Sequence, residues 1–76
     1  MLQAEKYKVL LVDDDCDLLW AAKALLSKFY DVRTAETVST AKNMLLHNQP
    51  DILVVDLNFE GQEEDGLSLL KWVGDK

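Results

Sequence analysis

Three short apolar runs alternate with three helical patterns along this chain, and that alternation restricts the fold more than any other feature. The runs occupy positions 7–12, 30–35 and 51–56. The first and third are almost continuously apolar, which is typical of strands buried on both faces. Strands that alternate with helices form a parallel sheet through right-handed crossovers, with helices on both faces. The sequence therefore predicts one α/β domain with the order βαβαβα.

The first two helices are placed by their apolar spacing and by their end signals. The first has apolar residues three and four positions apart, at Leu18, Leu19, Ala22, Leu25, Leu26 and Phe29. A carboxylate of Asp15 or Asp17 is suited to cap its first turn. The second helix is predicted to open at Ser39 or Thr40. It is predicted to end before Pro50, because proline disfavours helical geometry in the preceding residue.

The third helix follows a polar stretch at positions 58–65. It is predicted to begin near Gly66 and to carry Leu67, Leu70 and Val73 on one face. The chain contains no internal repeat, low-complexity tract or linker. We therefore expect one domain.

Composition is that of an ordinary globular protein, with 76 residues, 49% hydrophobic and 29% charged. A domain of this size buries only about 60% of the surface that its unfolded chain exposes. Cys16 is the only cysteine, so no disulfide can form within one chain. A reducing compartment is consistent with that.

Charge and hydropathy patterning argue against two classes of partner. The formal net charge is -6 and no stretch gathers Lys and Arg into a patch, so we expect no direct nucleic-acid binding by this segment. No apolar run approaches the roughly 20 residues that span a bilayer. The N-terminus has no signal-peptide pattern, so we expect no membrane partner and a cytoplasmic location.

Carboxylates follow two of the three predicted strands. Asp13 and Asp14 come directly after the first strand, and Asp56 ends the third. In a flavodoxin-like sheet of order 2-1-3 these strands are neighbours, about 4.8 Å apart, and their carboxyl ends share one edge. Acidic residues after a single strand are usually caps or turn residues. Two acidic strand ends favour a site for a divalent cation such as Mg²⁺, because like charges raise one another's pKa unless they are neutralised.

Three segments resemble the receiver domains of two-component response regulators. Residues 8–15 resemble their first strand and acidic pair, and residues 50–57 resemble their third strand, which ends in the phosphoacceptor aspartate. Residues 65–70 resemble the glycine-led start of the following helix. The resemblance runs in order through nearly the whole chain. It implies a flavodoxin-like (CheY-like) fold, truncated to its first three strands and helices.

The resemblance also implies roles for individual residues. Asp56 would accept a phosphoryl group from a sensor histidine kinase or a phosphotransfer protein. Asp14 would be a direct Mg²⁺ ligand, Asp13 would place a metal-bound water, and the backbone carbonyl of Asn58 would complete the protein ligands. The phosphorylated domain would regulate an output module, which in such families is commonly transcriptional.

The chain departs from the receiver pattern in three respects. Residues 59–61 stand where the family usually has a proline, and the stretch 58–65 is about two residues longer than usual. The Ser or Thr of the family's fourth strand and the Lys of its fifth have no counterpart here. We therefore predict that residues 1–76 form a partial receiver domain. Its third-strand edge at 52–55 would self-associate or be completed by another segment, because long apolar edges recruit partners.

Two other functions compete with a phosphoacceptor switch. A phospho-independent interaction or dimerisation module would keep the fold without the chemistry, and the missing Lys and Ser/Thr leave it open. An aspartate-nucleophile phosphatase of the haloacid-dehalogenase type ranks lower, since Asn58 stands where that class has its second aspartate. We expect no enzyme activity beyond phosphoryl transfer to the chain's own Asp56.

Overall fold

A computed structural model describes residues 6–56 and 66–74 of the chain. The elements follow the predicted order and are β1 Lys8–Val12, α1 Cys16–Leu26, β2 Asp31–Ala35, α2 Val38–His47, β3 Ile52–Val55 and α3 Gly66–Gly74. No helix among these residues is both long enough and apolar enough to cross a membrane.

The sheet is parallel and has the strand order β2-β1-β3, which confirms the predicted 2-1-3 arrangement. Val12 at the end of β1 is level with Ala35 of β2 on one side and with Val55 of β3 on the other. All three strands therefore end at the same edge. That edge is where open parallel sheets bind ligands.

The core lies on both faces of the central strand. Every residue of β1 from Val9 to Val12 is buried. On one face, Leu10 and Val12 pack with α2 and with Leu69 of α3. On the other, Val9 and Leu11 pack with Leu19 of α1. The continuous apolar pattern of the first strand thus reflects helices on both of its faces.

The helix starts depend on side-chain caps. The Asp15 carboxylate accepts from the backbone N–H of Asp17 and of Leu18, at 3.1 and 3.2 Å. It is one of the two caps expected for the first helix. The predicted start of the second helix was wrong by one or two residues, because the Thr37 hydroxyl accepts from the Thr40 N–H at 3.0 Å and α2 begins at Val38.

Two predicted apolar faces were right only in part. In α1 Leu19 is buried and Ala22 and Leu26 pack partly buried beside it, whereas Leu18 and Leu25 are exposed and Phe29 lies beyond the helix. In α3 the buried residues are Gly66 and Leu69, whereas the predicted face at Leu67 and Leu70 is exposed, with Val73 partly buried.

Among the described residues the third strand, β3, pairs with β1 alone, and its other edge is open, as the sequence predicted. Leu53 and Val55 are partly buried beneath α2 and α3. Ile52 and Val54 point to the α1 side of the sheet and are exposed.

Candidate metal centre

The candidate site is built by backbone hydrogen bonds that extend β1 and β3 by one residue each. The Asp13 N–H donates to the Ala35 carbonyl at 3.1 Å, and the Asp56 N–H donates to the Val12 carbonyl at 2.9 Å. Both aspartates are therefore held in the strand direction just past the last paired residues. Their positions follow from the parallel register.

Three carboxylates meet at this edge. Asp13, Asp14 and Asp56 each offer an oxygen atom within 4.8 Å of those of the other two, and all three residues are half-buried. The sequence argument expected this convergence, because β1 and β3 are neighbours that end together.

The surroundings of the cluster change the pKa of Asp13. Desolvation by burial raises the pKa of its carboxyl above the usual 3.8, and the nearby charges of Asp56 and Asp14 act in the same direction. The Asp15 N–H donates to Asp13 Oδ1 at 3.0 Å and opposes the shift, since it favours the ionised form. The folded chain thus disfavours the ionised form of the Asp13 carboxyl.

The solved structures that share this fold are receiver domains. At 25% identity and a TM-score of 0.82, 92% of the chain matches the signal receiver domain of a protein assigned as a Luxo repressor from Vibrio parahaemolyticus. At 25% identity and a TM-score of 0.79, 88% of it matches the N-terminal domain of a response regulator receiver protein from Methanoculleus marisnigri JR1. The chain has the fold of a response-regulator receiver domain.

A third receiver-type match is NtrX from Brucella abortus, at 27% identity, a TM-score of 0.85 and 92% coverage of this chain. The chain spans 53% and 54% of the first two structures and 16% of NtrX. No family model matches the sequence, and no curated protein does. The receiver likeness therefore concerns about half of a receiver domain.

Gly66 packs against the candidate metal site in a way that sequence reasoning missed. It is buried, and a Cβ placed there would overlap the Asp56 carbonyl oxygen and lie 2.7 Å from Val55 Cγ1. The first residue of α3 therefore packs directly on the backbone of Asp56. We expected this glycine only to begin the helix. The chain's next glycine is eight residues further on, and nothing in this spacing signals that Gly66 lies close to the backbone of Asp56.

An apolar groove leads from the candidate metal site along the α1 side of the sheet. It has a volume of about 280 Å³ and includes Leu18 and Ala22 of α1, Val54 of β3, and Asp13 and Asp56 at its acidic end. The acidic cluster therefore lies at one end of an apolar groove.

The donor set fits a hard divalent cation. Carboxylate oxygens are the ligands that Mg²⁺ prefers, and it usually takes one or two of them together with waters. The cluster offers three, one of which has a raised pKa that a cation would lower. The fourth expected ligand, the backbone carbonyl of Asn58, lies outside the described residues.

Proposed function

We propose that this chain is a phosphoacceptor receiver module of two-component signal transduction, phosphorylated on Asp56 with Mg²⁺. The observation that supports it best is the convergence of Asp13, Asp14 and Asp56 within 4.8 Å at the carboxyl edge of a receiver-type sheet. Open parallel sheets bind ligands at the carboxyl ends of their strands. The carboxylate oxygens at this edge are suited both to binding a cation and to accepting a phosphoryl group.

The proposed chemistry is transfer of a phosphoryl group from a phosphohistidine to a carboxylate. An oxygen of Asp56 attacks phosphorus, the P–O bond forms as the P–N bond breaks, and the donor's imidazole leaves with the electron pair. Transfer of this kind depends on positioning and on neutralising charge on the three equatorial oxygens. Bound Mg²⁺ supplies that neutralisation.

The remaining site residues hold the cation and position the acceptor carboxylate. In the proposal Asp14 binds the cation directly, Asp13 binds it through a water, and the Asn58 carbonyl completes the protein ligands. The N–H of Asp56 is fixed on the Val12 carbonyl, which keeps the acceptor at the end of β3. Because Asp13 is anchored to β2 and Asp56 to β1 by backbone hydrogen bonds of the same sheet, their separation is set by the sheet.

The partners of such a module follow from the proposal. A sensor histidine kinase or a phosphotransfer protein supplies the phosphoryl group, and an output module, commonly transcriptional, reads the phosphorylated state. Phosphorylation changes charge at the half-buried edge where α3 packs on the backbone of Asp56. The chain acts on its own aspartate, in the cytoplasm, and not on a separate substrate.

The test is intact mass spectrometry after incubation with acetyl phosphate and MgCl₂. We expect one added phosphoryl group on the wild-type chain, and none on Asp56→Asn or in the presence of a chelator. Asp31→Asn removes an exposed carboxylate at the opposite end of the sheet and should be phosphorylated like wild type. An adduct that persists in Asp56→Asn would contradict the assignment.

A phospho-independent interaction module of the same fold is the second candidate. The observation that favours it is the exposure of large aliphatic side chains on α1, α3 and β3. A chain that takes no phosphoryl group with Mg²⁺ present, yet remains folded, would favour this function over the first.

A further inference from the structure

A cavity of about 220 Å³ lies at the end of the sheet opposite to the three carboxylates. It is lined by the first residues of β1 and β2, by the second half of α2 and by the segment that leads to β3. Lys8 at the start of β1 is five residues before Asp13, which is about 16 Å along a strand. The cavity is therefore separate from the candidate metal centre.

The walls of the cavity belong to a part of the sheet that has neighbours on both sides. All of the lining residues lie between positions 8 and 50, which the structure describes throughout. The central strand β1 is paired with β2 and with β3, and β3 contributes no residue to the lining. The shape of the cavity therefore does not depend on what lies beyond the edge of β3.

The sheet register brings two basic side chains to the face where the cavity lies. Lys8 is level with Asp31, and Leu10 is level with Arg33. Residues that are level with one another, or two positions apart on one strand, share a face of the sheet. Leu10 packs with α2, so the Lys8 and Arg33 side chains are on the α2 face as well.

Both basic groups keep hydrogen-bond donors for a ligand. Among the described residues the Lys8 ammonium contacts only the amide oxygen of Asn48, at 3.4 Å. Arg33 Nε lies 3.8 Å from Asp31 Oδ1, and in the same part of the chain neither terminal NH₂ group of its guanidinium has a protein partner. The planar guanidinium of arginine matches the two oxygens of a carboxylate.

Charge at the cavity favours an anion. Lys8 and Arg33 contribute two positive charges and Asp31 one negative charge, so the lining carries a formal charge of +1 with His47 neutral. Asp51 is close by, but its Oδ2 accepts from the backbone N–H of Lys8 at 2.8 Å and it does not line the cavity. A local excess of positive charge on a chain of net charge -6 favours a ligand with one negative charge.

The rest of the wall is largely apolar and is already formed. Leu10, Met44 and Pro50 contribute aliphatic surface. His47 Nδ1 lies 2.8 Å from the carbonyl oxygen of Asn43, so this nitrogen donates its hydrogen and holds the ring on α2. Sites for drug-sized ligands have volumes of about 300–1,000 Å³, with apolar walls and a few polar groups. A cavity of about 220 Å³ suits a smaller molecule of the same kind.

We propose that this cavity binds a small organic anion, with one carboxylate on a short apolar body. The carboxylate contacts the Arg33 guanidinium and the Lys8 ammonium, and the apolar body lies against Leu10, Met44 and Pro50. Binding requires neither phosphorylation nor Mg²⁺, so the proposal is independent of the function proposed above. For a ligand of this size we expect a dissociation constant of about 1 mM.

Titration with sodium hexanoate, followed by two-dimensional ¹H–¹⁵N NMR at constant ionic strength, tests the site. We expect saturable shifts of the backbone amide signals of Arg33, Met44 and His47. The signals of Asp13 and Asp56, at the other end of the sheet, should not shift. The absence of saturable shifts up to about 20 mM hexanoate would overturn the proposal.

Two substitutions and a matched control test the basic groups. Arg33→Gln and Lys8→Gln should each raise the dissociation constant about fivefold or more, because each removes a charged donor. Lys28→Gln removes the same charge from an exposed lysine outside the cavity and should bind hexanoate like wild type. The same spectra show whether each variant is folded. Equal weakening by Lys28→Gln would mean that bulk charge alone attracts the anion, and would overturn the site.

Three further ligands test the two parts of the proposed ligand. 1-Hexanol has the apolar body without the charge, and acetate has the charge on a single methyl group. Each should bind at least about fivefold more weakly than hexanoate. Hexanol that bound as tightly as hexanoate would overturn the assignment to an anion. Inorganic phosphate that bound more tightly than hexanoate at the same residues would overturn the assignment to a carboxylate.

Discussion

The backbone carbonyl of Asp56 occupies the space that a side chain at Gly66 would need. A Cβ at Gly66 would overlap that oxygen and would also come within 2.7 Å of Val55 Cγ1. Relief would require moving either the start of α3 or the backbone of Asp56. The glycine thus sets the distance between a helix and the candidate phosphoacceptor.

Gly66→Ala should therefore destabilise the chain, although alanine is the better helix former. We expect the free energy of unfolding to fall by about 1–3 kcal/mol, the usual cost of overpacking. Gly74→Ala is the control, because nothing lies within 4 Å of a Cβ there, and it should change stability by less than about 1 kcal/mol. Urea unfolding measures both, and equal effects would contradict the close approach.

Much of this architecture could be predicted from the sequence. The abrupt change from apolar residues to aspartate after Val12 and after Val55 marks where two strands end. The alternation of elements predicts parallel strands, and the resemblance to receiver domains implies the order 2-1-3, in which those two ends are neighbours. The meeting of Asp13 and Asp56 then follows without knowledge of any side-chain packing.

The buried faces of the helices could not be predicted in the same way. Leucines at positions 18, 19, 25 and 26 give α1 more apolar surface than one face can bury, and the sequence does not say which the sheet covers. In the structure α1 turns Leu19 inward and leaves Leu18 exposed.

The Asp15 carboxylate caps α1 and therefore has a structural role, unlike the three carboxylates of the candidate site. Its side chain is engaged by two N–H groups of the first turn of α1. Asp15→Ala should lower the free energy of unfolding by about 1 kcal/mol, whereas Asp15→Asn should change it by only a few tenths. Urea unfolding distinguishes the two, and both variants should keep their response to Mg²⁺.

Asp13 should make stability depend on pH with a sign opposite to that of most carboxylates. Because its pKa is raised above 3.8 in the folded chain, the folded state binds this proton more tightly than the unfolded state does. Its contribution to stability is therefore present below pH 3.8 and is lost as pH rises through the raised value.

Asp13→Asn removes the ionised carboxylate, whose charge the folded chain disfavours above this pKa, so without divalent cations it should be more stable than wild type at pH 7. The difference should shrink as the solution is acidified. Asp17→Asn is a useful control, since it removes an exposed charge that favours the start of α1 and should cost about 0.3–1 kcal/mol. Urea unfolding in a chelator at pH 7 would contradict the argument if both variants stabilised alike.

Mg²⁺ should stabilise the wild-type chain by binding the folded state alone. At ten times its dissociation constant the gain in unfolding free energy is about 1.4 kcal/mol, measured as a shift in the thermal midpoint. Asp56→Asn and Asp13→Asn should reduce the shift because each removes an oxygen charge from the cluster, whereas Asp31→Asn should retain it. NaCl at equal ionic strength must be compared, because a chain of charge -6 also responds to screening. If NaCl reproduced the shift, or if Asp31→Asn abolished it, the stabilisation would come from bulk charge and not from the three carboxylates.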